Sequence, residues 1–387
     1  MLTNRPIIYI IETKLTNNDL KKFGNDFYQK NSFKIVFYNV APITRKNYYN
    51  SYNNSSLPHI ENQKFFFKID DLIHEIRKEK NPVIFSIIAS HNKIQNKIFY
   101  NLNKNKISYI SIHSSKLPHN KITKLELLFM SFMFPLAAIR KIKKKILTFQ
   151  SNYFYPTATL RNNALNNSES GKNNFKIPSY DYDEIIKWER NGDYKGLTKD
   201  DNYFVFIETP YSHPDGLFAD ERFPPENPCN FDDWYKPLNN FYEEFCQIMK
   251  TNILIIPHPR TTKKALDALE FGNVVDPLKK IDYIKNSRGL LTFHSLALSY
   301  GVYFKKPIIF LDQNNFTFHN RRSINSIANY FKKKSINMSK TLNNEILEEA
   351  LNIDLQSYED FKVQYLGCPS SQTSHEIIIG LINKNYI

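Results

Sequence analysis

LLTFHSLALSYGVYFKKPIIFL, residues Leu290–Leu311, passes from a short apolar run into His294-Ser295, then a helical stretch, then through Lys305-Lys306-Pro307 into a second apolar run. A strand, a helix and a strand in that order call for parallel pairing, with the helix laid across one face of the sheet. Upstream, ILIIPHPR, residues Ile253–Arg260, begins in the same way and stops at Pro257-His258-Pro259-Arg260. A further helix is expected over Lys279–Ser287, between the two. In an open α/β sheet, ligands bind outside the carboxyl ends of the strands. His258, Pro259, Arg260, His294 and Ser295 are therefore expected to face a ligand. An imidazole can donate to a phosphate or ribose oxygen, and a guanidinium offers a planar fork of donors. Ser295 reads as the N-cap of a helix over Leu296–Phe304, whose free N–H groups and positive end favour an anion. The plainer reading makes Ser295 a cap only, with His294 packed beside it.

A third segment, FVFIETPYSHPDG, residues Phe204–Gly216, is a strand followed by a proline-punctuated loop carrying Glu208, His213 and Asp215. Carboxylates and a histidine at a strand end suit general acid–base work. Pro-Asp-Gly is equally a good turn sequence. A helix from about Trp234 to Lys250 follows, and the capping pattern Thr373-x-x-Glu376 opens a last helix.

The N-terminal half alternates in the same way. Apolar runs at Pro6–Ile11, Phe33–Tyr38, Val83–Ala89 and Ile107–Ile112 read as strands, and Asn17–Gln29 and Asp70–Lys80 as helices. Continuous apolar strands are those buried on both faces of a parallel sheet. Glu12, Ser90-His91 and His113-Ser114 fall at strand ends. RNNALNNSESGKNNF, residues Arg161–Phe175, is polar and turn-rich. The expected organisation is an α/β chain of two doubly wound domains facing a cleft: 1–150, a linker region over 151–202, a second domain over 203–370, and a C-terminal helix over 371–387.

Composition narrows the partners. The chain of 387 residues carries a formal net charge of +14, which favours anionic partners. Zinc-finger spacing, heptads behind a basic region and an aromatic RNA-binding signature are all missing, so a nucleic-acid partner is not expected. The basic residues cluster tightly only at Arg140–Lys145 and Lys332–Lys334. Residues 125–146 join an apolar stretch to the first cluster, which fits either a helix in an anionic membrane interface or a buried helix pair with a solvated end. The stretch falls short of the roughly 18 apolar residues of a membrane span. Three widely spaced cysteines, Cys229, Cys246 and Cys368, fit a reducing cytoplasm. The first residues read as a strand rather than a signal peptide. The one Asp-x-Asp, Asp181-Tyr182-Asp183, follows no buried strand and is expected at a solvated helix start, so a metal-independent site is expected.

The series from His258 to Pro307 resembles the nucleotide-binding half of GT-B glycosyltransferases of bacterial surface polysaccharides, including the CMP-sugar sialyltransferases and Kdo transferases and the related CDP-glycerol polymerases. The opening, IETKLTNNDLKKFGNDFYQKNSFKIVFYNVAPI, is similar to that of capsule and lipopolysaccharide biosynthesis proteins. The resemblance implies that His258 and Ser295, with Ser299, hold the phosphate of a CMP-sugar, and that the N-terminal domain binds the acceptor. It implies transfer of a nonulosonic acid or Kdo to a surface glycan, with no cofactor beyond the donor. Sialyltransferases carry an acidic pair before a glycine as the source of the base. Here only Asp215-Gly216 matches, after Pro214. The base therefore stays open among Asp215, Glu208, His213 and Glu12. The rival expectations are a CDP-glycerol phosphotransferase, a nucleotide-sugar epimerase, and a non-catalytic nucleotide-sugar binder.

Overall fold

A computed structural model of the chain describes residues 5–13, 15–46, 49–50, 63–87, 93–113, 117–118, 156–161, 173–192, 202–209, 231–258, 261, 263–316 and 318–387. The chain forms two compact units. The first comprises Met1–Ser114, Lys121–Ile177 and Ser374–Ile387, the second Ser115–Asn120 and Pro178–Thr373.

The first unit is built on seven parallel strands: β1 Ile7–Ile11, β2 Ile35–Asn39, β3 Gln63–Phe65, β4 Val83–Ser86, β5 Ile110–His113, β6 Ala158–Arg161 and β7 Asn173–Lys176. Their order across the sheet is β3-β2-β1-β4-β5-β6-β7. Every residue of β1 and β2 is buried, as the continuous apolar runs require. Successive side chains of a strand point to opposite faces, and β1 divides accordingly. Ile7, Tyr9 and Ile11 join a core with Phe37, Phe85, Ile112 and Leu160. Ile8 and Ile10 join the other, with Leu72 and Ile76 of the helix Ile69–Lys78 and Ile98 and Leu102 of the helix Lys93–Lys104.

The helix Ser374–Asn383 belongs to this first unit. Ile378 and Ile382, one turn apart, are fully buried in the core of Tyr9 and Tyr28. It is therefore not the separate terminal piece expected over 371–387. The helix expected over Asn17–Gln29 is two short ones, Asn17–Lys22 and Asn25–Lys30, broken at Gly24. Gly24 has φ +70°, and a Cβ there would sit 2.7 Å from His375 Nδ1. His375 is 1% exposed, and its Nδ1 lies 3.3 Å from the Tyr28 hydroxyl. The break thus gives the C-terminal helix its seat.

The second unit holds six parallel strands: β8 Tyr203–Ile207, β9 Asn252–Ile256, β10 Asn273–Val274, β11 Leu290–Thr292, β12 Ile308–Asp312 and β13 Ile336–Asn337, in the order β10-β9-β8-β11-β12-β13. Each of its first four strands follows the expectation to within a residue or two, apart from the two-residue β10, which the sequence does not announce. The expected linker over 151–202 differs. It supplies β6 and β7 to the first sheet, and the helix Tyr180–Asn191 to the second unit. Most of the polar run within it, and the stretch 125–146, lie outside the described residues.

Asp181-Tyr182-Asp183 does stand at a helix start, where the Ser179 hydroxyl accepts a hydrogen bond from Tyr182 N–H. It is not solvated throughout, since Asp183 is 2% exposed. Lys332–Lys334 is no basic patch either. Lys332 pairs with Asp354 at 2.6 Å and Lys334 with Glu349 at 3.1 Å. Lys333 is buried and donates to the carbonyls of Ile308 and Ala350. The second of these carbonyls lies in the last turn of the helix Asn344–Leu351, where a cation meets the negative end of the helix dipole. Among the described residues no helix is long and apolar enough to cross a membrane.

Two outcomes follow from these contacts. Gly24→Ala adds about 1–2 kcal/mol of left-handed backbone cost and about 1–3 kcal/mol of crowding. It should lower Tm by roughly 5–15 °C and expose the C-terminal helix to proteolysis, read by melting and limited digestion. Burial lowers the Lys333 pKa from 10.5 to about 8. The folded state therefore gives up this proton at lower pH than the unfolded chain, and stability rises as pH climbs from about 8 to 10.5. Melting curves across that window should show the wild type gaining on Lys333→Met.

Candidate functional site

The strand order of the second unit, renumbered from its first strand, is 3-2-1-4-5-6. It reverses direction between β8 and β11, and ligands of such sheets sit outside the carboxyl ends at that reversal. The first sheet has the same order with a seventh strand added, and reverses between β1 and β4. Register aligns the ends in the second unit. Ile207 of β8 pairs with Ile256 of β9 on one side and with Thr292 of β11 on the other. Glu208-Thr209, Pro257-His258 and Phe293-His294-Ser295 consequently leave three adjacent strands at one level, with neighbouring strands about 4.8 Å apart.

Glu208 is the most constrained of these groups. It is 5% exposed. Its Oε2 accepts the backbone N–H of His258 at 3.1 Å and the hydroxyl of Thr261 at 2.6 Å. Its own N–H donates to the Ile256 carbonyl, and Thr261 N–H donates to the His258 carbonyl at 2.9 Å. Burial pushes the Glu208 carboxyl above the ordinary carboxylate range, against the opposing pull of the Thr261 and His258 hydrogen bonds. His258 itself is half-buried.

Around this point three buried hydroxyls, of Thr209, Tyr242 and Thr292, make no hydrogen bond among the described residues. Tyr242 lies in the helix Phe231–Met249 and is close enough to feel the charge of Glu208. Buried hydroxyls are almost always bonded; Thr209 and Thr292 stand at the ends of the adjacent strands β8 and β11, and Tyr242 in the helix Phe231–Met249. The apolar framework beneath is aromatic: Phe293 packs edge-on against Phe206 and at a tilt against Trp234.

The Ser295 expectation needs correction. The helix that follows is Leu298–Tyr303, six residues long, and its N-cap is Ala297, with no side-chain cap. Ser295 stands a turn earlier, where its hydroxyl accepts from Ala297 N–H at 3.3 Å and its carbonyl from Leu298 N–H. It begins a turn at the end of β11, and so short a helix brings little dipole to an anion. Ser299 is 2% exposed, inside that helix rather than at its mouth. His294 and Ser295 are half-buried at the strand end. Pro259, Arg260, His213 and Asp215 lie outside the described residues, as do Ser90, His91 and Ser114.

In the first unit, Glu12 follows β1 at the reversal point and is 4% exposed. One oxygen pairs with Arg45 at 2.8 Å and the other accepts from Gln95 at 2.6 Å. Both are thus engaged within the protein. The hydroxyl of Ser111 and Nε2 of His113 lie 3.0 Å apart on β5, two residues apart in sequence and so on one face.

The sequence matches no family model and no curated protein. Solved structures do match. CalG4, the calicheamicin glycosyltransferase, is 8% identical, with 99% of this chain and 98% of that one covered at a TM-score of 0.53. S. aureus MnaA, solved with UDP, is 10% identical, with coverage of 99% and 98% and a TM-score of 0.51. A UDP-N-acetylglucosamine 2-epimerase from Listeria monocytogenes is 10% identical, with coverage of 97% and 95% and a TM-score of 0.51. The chain has the GT-B fold. The α/β expectation of two doubly wound, Rossmann-like halves holds, while these identities speak for the fold alone.

Thr209, Thr261 and Thr292 were not among the residues the sequence singled out. Thr261 is the third residue after His258, and that spacing was the available signal. Thr209 and Thr292 look like ordinary strand residues.

The raised Glu208 pKa sets a pH test. Between 4.5 and its folded value the folded protein keeps a proton that the unfolded chain releases, so stability falls as pH rises through that window. Glu208→Gln is immune to this loss. Its melting temperature should exceed the wild type's at neutral pH, with the gap closing towards pH 4.5. An unchanging gap would show that the Glu208 pKa is not raised in the folded protein.

Proposed function

We propose that the chain is a glycosyltransferase that holds a nucleotide-activated sugar at the carboxyl edge of the second sheet and passes the sugar to a surface glycan. The observation that carries this is the reversal between β8 and β11, with Glu208, Thr209, His258, Thr292, His294 and Ser295 gathered at that edge. Transfer requires donors for the departing phosphate and a group to take the proton of the acceptor hydroxyl. His258 and Ser295 suit the first task, with Pro259-Arg260 directly after His258 in sequence. For the second, the carboxylates of Glu208 and Glu12 are already engaged by protein donors. We therefore assign the proton to the segment that carries His213 and Asp215, with Asp215 the first choice.

The donor we favour is a CMP-activated nonulosonic acid or CMP-Kdo, on the pairing of His258-Pro259 with a downstream serine. The reading includes no metal, because Asp181-Tyr182-Asp183 begins a helix and does not follow a buried strand. A net charge of +14 suits an anionic or lipid-linked acceptor. The second reading is a nucleotide-sugar epimerase, favoured by the likeness to the Listeria enzyme. That reading, with the UDP bound to S. aureus MnaA, makes UDP-sugars the competing donors.

Thermal-shift measurements with CMP, CDP, UDP and GDP, followed by turnover with the matching sugars, separate these readings. A CMP-specific shift and CMP release with an acceptor support the transferase. A UDP-specific shift with a change in the sugar alone supports the epimerase. His258→Ala should stay folded and lose about 100-fold or more in transfer, the scale of removing a donor to a charged leaving group. Unchanged turnover in that variant would refute the donor-site assignment.

A further inference from the structure

Glu208 sits where a general base would be sought, but its contacts point elsewhere. Its carboxylate is 5% exposed, and the oxygen that does the bonding already accepts from two protein groups. Both donors come from the segment that leaves β9: the N–H of His258 and the hydroxyl of Thr261. The Thr261 N–H closes the same segment onto the His258 carbonyl. Glu208 is fixed in turn, because its own N–H continues the β8–β9 ladder to Ile256.

We infer that Glu208 is a positioning residue rather than the base: with Thr261 it latches the turn after β9 to the end of β8 and so sets where His258 meets the nucleotide phosphate. This rests on the donor-site reading above. The physical basis is that a main-chain N–H bonded to a buried carboxylate fixes the backbone from which the imidazole projects. Without the carboxylate, that amide and the Thr261 hydroxyl lose a shared acceptor, and the tie between the end of β8 and the segment after β9 that both bonds supply is lost. Because both bonds end on one oxygen, a glutamine at 208 can accept both through its amide oxygen, whereas an alanine accepts neither.

Two measurements on the full chain test the latch. The first needs no ligand: amide hydrogen exchange at His258. Glu208→Ala and Thr261→Val should speed this exchange, Glu208→Ala by about tenfold or more for the loss of one charge-assisted bond. Glu208→Gln should restore protection. The second is the Kd for the nucleotide that stabilises the wild type most among CMP, CDP, UDP and GDP. Glu208→Ala should weaken it by about tenfold, Glu208→Gln should return it to within about threefold, and in a His258→Ala background the Glu208→Ala change should cost less than about twofold. Protection and Kd unchanged in Glu208→Ala would overturn the latch. So would Glu208→Gln with intact protection and Kd but a turnover reduced by about 100-fold or more, which is the mark of a lost base. Should Glu208→Ala fail to fold, Thr261→Val and Glu208→Gln carry the comparison. If the wild type binds none of the four nucleotides, the donor-site reading falls and the functional role of the latch with it, while the exchange data still decide whether the contact orders the turn.

Discussion

A parallel sheet covered on both faces leaves its central strands nowhere to place a polar side chain except at their ends. β1, β2, β8 and β12 obey this constraint almost residue for residue. The backbone of each strand is satisfied by its neighbours, the side chains by the two cores, and the chain must turn polar abruptly as it leaves the sheet. Because all strands of a sheet run the same way, these abrupt changes collect at one edge. Chemistry is thereby concentrated by the same rule that makes the core apolar. Glu208, Asp312, Glu12 and Asn39, all nearly inaccessible to solvent, each stand at a strand terminus.

That rule also decides which strands the amino-acid sequence makes legible. The strands at the middle of each sheet announce themselves as apolar runs, and the two segments around His258 and His294 are correctly placed at strand ends. The strands at the margins do not. β3 is Gln-Lys-Phe, β7 is Asn-Asn-Phe-Lys, β10 is Asn-Val, and each is partly exposed. An edge strand needs few apolar residues, so its sequence resembles a loop, and the polar stretch after residue 150 conceals the edge strand β7 together with the short buried β6 beside it. Long-range contacts were equally hidden. Nothing near Gly24 shows that its hydrogen makes room for an imidazole from position 375, and nothing in a run of three lysines shows that the middle one lies inside.

The candidate site divides along the same line. Glu208 and His258 were legible because each follows a buried strand. Their relation was not, since a hydrogen bond from a main-chain N–H leaves no trace in residue type. Ser295 illustrates the opposite error: a serine directly before an apolar stretch looks like a cap, but the Ser295–Ala297 turn delays the helix to Leu298. The identity of the nucleotide is less legible still, because a base is recognised by few contacts, many of them from main chain.

The place of the C-terminal helix has a consequence for the order in which the protein can be made. Ile378 and Ile382 are core residues of the unit that contains β1, yet the whole of the second unit is translated before them. On the ribosome, domains tend to form in the order in which they emerge. Here the first unit to begin cannot be the first to be finished. Its sheet must wait, with the surface that will receive the helix still open to water, while Pro178–Thr373 emerges and folds. The core of the first unit can therefore be completed only after the whole of the inserted unit has been translated.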